Sequence, residues 1–202
     1  MRAKVAIVIA ANIGKLLTRE LALQMAQEIC ATPDKSIDPK DYPPSEYKGY
    51  VFAVEKFPDI LCDLHQLHLD QYAEVDRSGI PMDPDYEAIK ESHYAGHLMQ
   101  FTARVKETGE LVGNMRVYLL YSRHTKTMFA QEDTFYVAPK HRGGFMAVRF
   151  WQYTEKCVAQ AGAIEVTLDA TMAKNIDSMA KYLGYNAVST KFTKFIGPSK
   201  KE

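Results

Sequence analysis

The stretch Thr134-Phe-Tyr-Val-Ala-Pro-Lys-His-Arg-Gly-Gly-Phe-Met-Ala147, continued by Val148-Arg-Phe-Trp-Gln-Tyr153, reads as a strand, a tight loop and a helix start. The first amides of a helix have no intrahelical acceptor, and the positive end of the helix dipole stands behind them. Such a terminus seats an anion, and neighbouring glycines let the backbone approach it closely. A pyrophosphate is the natural occupant of a loop that combines both features with Arg142.

Working outward, Gly162-Ala-Ile-Glu-Val-Thr-Leu-Asp169 alternates apolar Ile164, Val166 and Leu168 with polar Glu165, Thr167 and Asp169, the pattern of a strand. Ile176, Met179, Ala180 and Leu183 then fall at helical spacing, and Gly184 stands where a helix-ending glycine belongs. Residues 186–196 are again strand-like. Upstream, Glu107-Thr-Gly-Glu110 is a turn that leads into the apolar strand Leu111-Val-Gly-Asn-Met-Arg-Val-Tyr-Leu-Leu-Tyr121.

These segments together resemble the GNAT superfamily of acyl-CoA-dependent N-acyltransferases over about residues 50–197. Arg142 to Ala147 is similar to the family's Arg/Gln-x-x-Gly-x-Gly/Ala loop, and Leu183-Gly184-Tyr185 to its Leu-Gly-aromatic signature. Phe145 stands where the loop usually has Gly, with Gly143 and Gly144 immediately before it. The resemblance implies an α/β fold with a central mixed, mainly antiparallel sheet flanked by helices. It implies acetyl-CoA as cosubstrate, with Phe135, Tyr136, Val137, Arg142, Gly143, Gly144, Phe145, Met146, Ala147 and Asn175 as its contacts. A narrower likeness is to GNAT proteins of tailed bacteriophages, carried by His65-Gln-Leu-His68, Gly79-Ile-Pro-Met-Asp-Pro-Asp85, Asp133 and Arg142-Gly143-Gly144. It places the chain in a host cytoplasm.

Acetyl transfer needs a free amine, a proton acceptor for it, and a hydrogen bond or proton for the departing thiolate. Asp133 and Glu132, on opposite faces of one strand, are the candidates for base or amine clamp, in that order. The family's usual acid, a Tyr five residues before the final aromatic of the signature, is here Ala180. Tyr182 is the nearby substitute. Phe145 and Ala180 together keep a second reading open, a weakly active or inactive GNAT-fold interaction or virion protein.

The rest of the sequence sets bounds. Its 202 residues suit one domain with an extension, and Lys+Arg equal Asp+Glu at 25 each, so net charge gives no pull toward nucleic acid or a membrane surface. Cys30, Cys62 and Cys157 are widely spaced and odd in number, as in a reducing cytoplasm. Residues 1–11 imitate a signal peptide but run into a charged segment without a clear cleavage site. Residues 13–29 carry an amphipathic helical pattern, cut by a proline-rich connector from 32 to 45. The chain therefore divides into an extension, 1–45, and a transferase domain, 46–202, with the extension's apolar face expected to dock on the domain or on a second copy as a homodimer. His65 with His68, and His93 with His97, have helix-face spacing, but neither pair has the further ligand of a zinc site, so no metal is expected. The expected partners are acetyl-CoA and an amine on a small molecule or a protein.

Overall fold

The computed structural model describes residues 2–30, 34–75, 79–169, 176–190, 192 and 194. Six strands form one sheet in sequence order: β1 (Ser45–Tyr47), β2 (Tyr50–Glu55), β3 (Leu98–Val105), β4 (Leu111–Tyr121), β5 (Met128–Val137) and β6 (Glu165–Thr167). The first five pair antiparallel and β6 joins β5 in parallel, giving the mixed, mainly antiparallel sheet of the GNAT fold. Glycine at position 113 lets β3 and β4 close up, since a Cβ there would meet the Ala103 side chain at 3.3 Å.

Helix α5 (Met146–Gln160) covers one face. Its Phe150, Trp151, Cys157 and Val158 pack on Phe52, Phe101, Met115 and Val117. Full burial stabilises each such side chain by about 1.5–3 kcal/mol, so this face is the main core. The opposite face carries α3 (Leu61–Val75) and α4 (Tyr86–Tyr94), where Phe57, Ile60, Leu64 and Leu98 form a smaller core. Odd-numbered positions of β4 from Gly113 to Val117 face α5, and Asn114, Arg116 and Tyr118 face α3 because strand side chains alternate.

Four details differ from the sequence reading. A first helix, α1 (Arg2–Ala10), precedes the amphipathic segment, and the helix expected over 13–29 begins only at Arg19 as α2 (Arg19–Cys30). Gly14 turns the chain at φ +84°, and the Thr18 hydroxyl restarts it by accepting from the Leu21 amide at 3.1 Å. Ile13, Leu16, Leu17 and Leu23 are between 56% and 84% exposed, so within one chain they find no docking surface. The strand expected over 162–169 shrinks to three residues and leaves Ile164 exposed, because β6 has pairing partners only at Phe129, Ala130 and Gln131. Residues 186–190, expected as strand, have no regular structure, and part of the remaining segment to 196 lies outside the described residues. No described helix is long and apolar enough to cross a membrane.

Helix α4 ends in a hydrogen-bonded αL turn. The Gly96 amide donates to the His93 carbonyl and the His97 amide to the Ser92 carbonyl, both at 3.0 Å, with Gly96 at φ +75°. A Cβ at position 96 would sit 2.5 Å from the Lys35 carbonyl oxygen. Gly96→Ala should therefore cost about 1–3 kcal/mol from positive φ and backbone collision together. Urea unfolding checks it: the midpoint falls and the slope stays constant.

Candidate active site

Strand β6 leaves β5 after Gln131, so residues 132–137 have β4 on one side and no β6 partner on the other. At the C-terminal end of that open edge lies the glycine loop. Helix α5 begins at Met146, capped by Phe145, whose side chain makes no capping bond. The first helical bond is Arg149 N–H to the Phe145 carbonyl at 2.8 Å. Among the described residues, the amides of Gly143, Gly144, Phe145, Met146, Ala147 and Val148 meet no acceptor. Six consecutive donors at a helix N-terminus form an anion seat. Gly143 has open space where a Cβ would stand, while Gly144 has φ +58°.

Arg142 is turned away from this seat. Its Nε donates to the Val137 carbonyl at 2.6 Å, and its Nη2 to Glu74 of α3 at 2.6 Å. The Tyr136 hydroxyl donates to the same Glu74 oxygen at 3.1 Å, with the Arg142 guanidinium 5.1 Å from the Tyr136 ring centroid. Phe135 points the other way, into the core, edge-on to Trp151. Thus Phe135, Tyr136 and Val137 offer a ligand their backbone edge rather than their side chains. Asn175 lies outside the described residues. Tyr182, on α6 (Ile176–Tyr182), is 63% exposed and leans on Phe145 at 5.7 Å between ring centroids. Among the described residues nothing bonds its hydroxyl.

The two carboxylates of β5 occupy different environments. Arg116 pairs with Thr134 and Val117 with Glu132, so Asp133 is the extra residue of a bulge. Bulges re-aim side chains beside functional sites. Asp133, though exposed, is ion-paired: its Oδ2 accepts from Arg116 Nε at 2.8 Å and lies 2.7 Å from Nη2. Glu132 faces the α5 side, is buried, and accepts from the Asp169 amide at 3.3 Å. Its carboxyl therefore bridges β5 to the segment just beyond β6, in the crotch of the splay. Burial raises its pKa to about 7. The Asp169 hydrogen bond opposes the shift, and the Asp169 and Asp133 charges add to it.

On the α3 side of the same strands is a cleft of about 120 Å³, bounded by His68, Gln71, Tyr72, Met82, Arg116 and Thr134 among others. His68, singled out in the sequence for its helix-face spacing with His65, lines this cleft. Sequence reasoning missed Arg116 and Gln71, whose surrounding strand and helix give no sign of a cleft. His68 Nε2, Gln71 Oε1 and Arg116 Nη1 are all buried without a hydrogen-bond partner among the described residues. Unpaired buried polar atoms cost about 1–3 kcal/mol each, and a cluster of them marks a place for a polar ligand. The His93–His97 pairing on one helix face is not realised, because α4 ends at Tyr94.

A splayed edge that meets six free amides defines an α/β protein shaped for an extended, phosphate-bearing ligand, with a separate polar cleft across the strand. The chain belongs to the acetyltransferase (GNAT) family, whose profile matches residues 61–185. No curated protein sequence matches it. Among solved structures it is similar to a ribosomal-protein-alanine N-acetyltransferase from Brucella melitensis biovar Abortus 2308, at 21% identity and a TM-score of 0.60 over 75% of this chain and 100% of that one. An aminoglycoside acetyltransferase from an uncultured soil metagenomic sample, solved with sisomicin, gives 14% and 0.57 over 75% and 97%. A predicted acetyltransferase from Clostridium acetobutylicum, solved with acetyl-CoA, gives 13% and 0.57 over 73% and 96%. At these identities the structures share the fold, and they lend no support to a phage origin.

Glu132 supplies a test of the electrostatics. Its folded-state pKa of about 7 lies above the ordinary 4.5, so between those values the folded state binds more protons than the unfolded one. Its contribution is then most favourable below pH 4.5 and is lost as pH rises through 7. Glu132→Gln should stabilise the protein by roughly 1–3 kcal/mol at pH 8, with the difference shrinking toward pH 4.5. Urea unfolding of both proteins across that range reads the difference directly.

Proposed function

We propose that the protein transfers the acetyl group of acetyl-CoA to a primary amine. The observation that carries this reading is the splay of β5 from β6, ending on the unpartnered amides of Gly143 to Val148. The pyrophosphate would lie on those amides and the pantetheine arm along the backbone of Phe135 to Val137, with the thioester near Glu132. The amine would enter through the cleft beside Arg116 and Thr134.

In this arrangement the amine nitrogen attacks the thioester carbonyl, the carbon–sulfur bond breaks, and the thiolate needs a proton. Glu132, half protonated near neutrality, is the donor for it and takes the place of the Tyr that the family has where this chain carries Ala180. Asp133 keeps Oδ1 free while Oδ2 holds Arg116, which suits it to clamp the entering ammonium rather than to act as a strong base. Tyr182, exposed and packed on Phe145, serves the seat rather than the proton chemistry. The retained seat and the near-neutral carboxyl favour an active enzyme over an inactive interaction protein.

Acetyl-CoA at a hundred times its Kd should raise Tm by roughly 5–10 °C, and Gly143→Glu should abolish the shift. Open space at Gly143 means that this variant folds normally, so a retained shift would place the cofactor elsewhere. With a panel of amines (an alanyl peptide, a lysyl peptide with a blocked amino terminus, spermidine and kanamycin), thiol release should reveal turnover. Glu132→Gln should lower kcat about 10²–10⁴-fold and remove the limb of the pH profile near 7, while Asp133→Asn should mainly raise the KM for the amine.

A further inference from the structure

The histidine pair His65 and His68, one turn apart on α3, is not explained by the transfer chemistry above. Both Nδ1 atoms lie against a single group, the Tyr86 hydroxyl at the start of α4: His68 at 3.1 Å and His65 at 3.3 Å. The burial of the three residues is graded. His68 is 4% exposed and borders the cleft, Tyr86 is half-buried, and His65 is exposed on the outer surface. His68 Nε2 has no partner among the described residues. The three side chains thus make one hydrogen-bonded line from the cleft to solvent.

We propose that His68, Tyr86 and His65 form a proton relay that carries a proton from the acceptor amine to water, an inference that rests on the transfer reading above. The proton count requires such an exit. An amine that enters as ammonium loses two protons on becoming an amide: one ends on the coenzyme A thiol and the other must reach solvent. As the nitrogen bonds to the thioester carbon it becomes far more acidic, and His68 Nε2 takes its proton while Nδ1–H passes one to the Tyr86 oxygen. The Tyr86 O–H in turn donates to His65 Nδ1, and the exposed His65 ring releases a proton to water. The cycle closes when the imidazoles return to their starting tautomers.

The surroundings fix the direction. Arg116 borders the same cleft, and its positive charge disfavours a second proton on His68. Burial, reinforced by the Arg116 and His65 charges and opposed by Asp133, pushes the His68 pKa down to about 4. His68 therefore rests neutral and does not retain a proton, as a relay member between a reacting nitrogen and a phenol requires. Tyr86 itself is shifted upward by burial, so it stays a neutral hydroxyl able both to accept and to donate.

The tautomer is measurable without any acceptor. In the full-length protein carrying ¹⁵N-labelled histidine, two-bond ¹H–¹⁵N correlation at pH 7 should show His68 protonated on Nδ1 only. Tyr86→Phe, which keeps the ring against Phe57, should move that proton to Nε2. A His68 protonated on Nε2 in the parent, or an imidazolium, overturns the relay. With the amine of the panel that is turned over fastest, Tyr86→Phe and His65→Gln should each lower kcat roughly ten- to a hundredfold, with acetyl-CoA affinity unchanged and added imidazole restoring His65→Gln. An unaffected kcat in Tyr86→Phe overturns the relay alone, whereas a parent that turns over none of the amines overturns the transfer reading and the relay with it.

Discussion

Strands β5 and β6 pair at three positions and then part, and the rest of the site depends on that limit. A strand buried in a sheet normally satisfies its amides and carbonyls on both sides. Here the β4 side is paired from Met128 to Val137 except at the Asp133 bulge, while β6 pairs nothing from Glu132 onward. The opening is held by packing on either side of it. Phe135 is wedged between Phe150 and Trp151 of α5, and the Trp151 indole donates to the Tyr185 hydroxyl at 2.7 Å. That bond pins the Leu-Gly-Tyr signature to α5 at a distance from β5. On the other face, Glu74 ties Tyr136 and Arg142 to α3. The backbone edge between these two anchors is left for a ligand to pair.

The same strand sets two carboxylates in different environments by turning them to opposite faces. Glu132 loses water, which pushes its pKa up against the opposing pull of the Asp169 amide. Asp133, displaced by the bulge, gains the Arg116 guanidinium as its partner. Neither environment follows from the residue type. Strand alternation turns the two apart, and the bulge at Asp133, opposite Arg116 and Val117, leaves it beside the guanidinium.

What the sequence made legible is what local pattern encodes. The alternation in Leu111 to Tyr121 and the turn signals before it define β4 residue for residue, and the glycine loop announces the start of α5 and its free amides. The length of β6 was not legible, because its partner strand, and not its own alternation, decides where it ends. The Arg116–Asp133 pair joins residues 17 apart across a bulge, and the His65–Tyr86–His68 line joins two helices. Both are tertiary contacts, with no periodicity to betray them. Arg142, the residue that anchors the alignment, turns its guanidinium to Glu74 and the Val137 carbonyl, contacts that the loop motif does not announce. At the N-terminus, apolar spacing from residue 13 concealed the later helix start that Gly14 and Thr18 impose.

Trp151 is the chain's single tryptophan. It is fully buried against the strand edge that the cofactor would occupy, and its N–H is committed to Tyr185. The indole emission of this protein therefore comes from one place, directly beneath the seat. A blue-shifted spectrum is the signature of the closed arrangement of α5, β5 and Tyr185, and any movement that separates them exposes that one fluorophore to water. The molecule carries its own optical probe of the splay, without a label or a second tryptophan to confuse the signal.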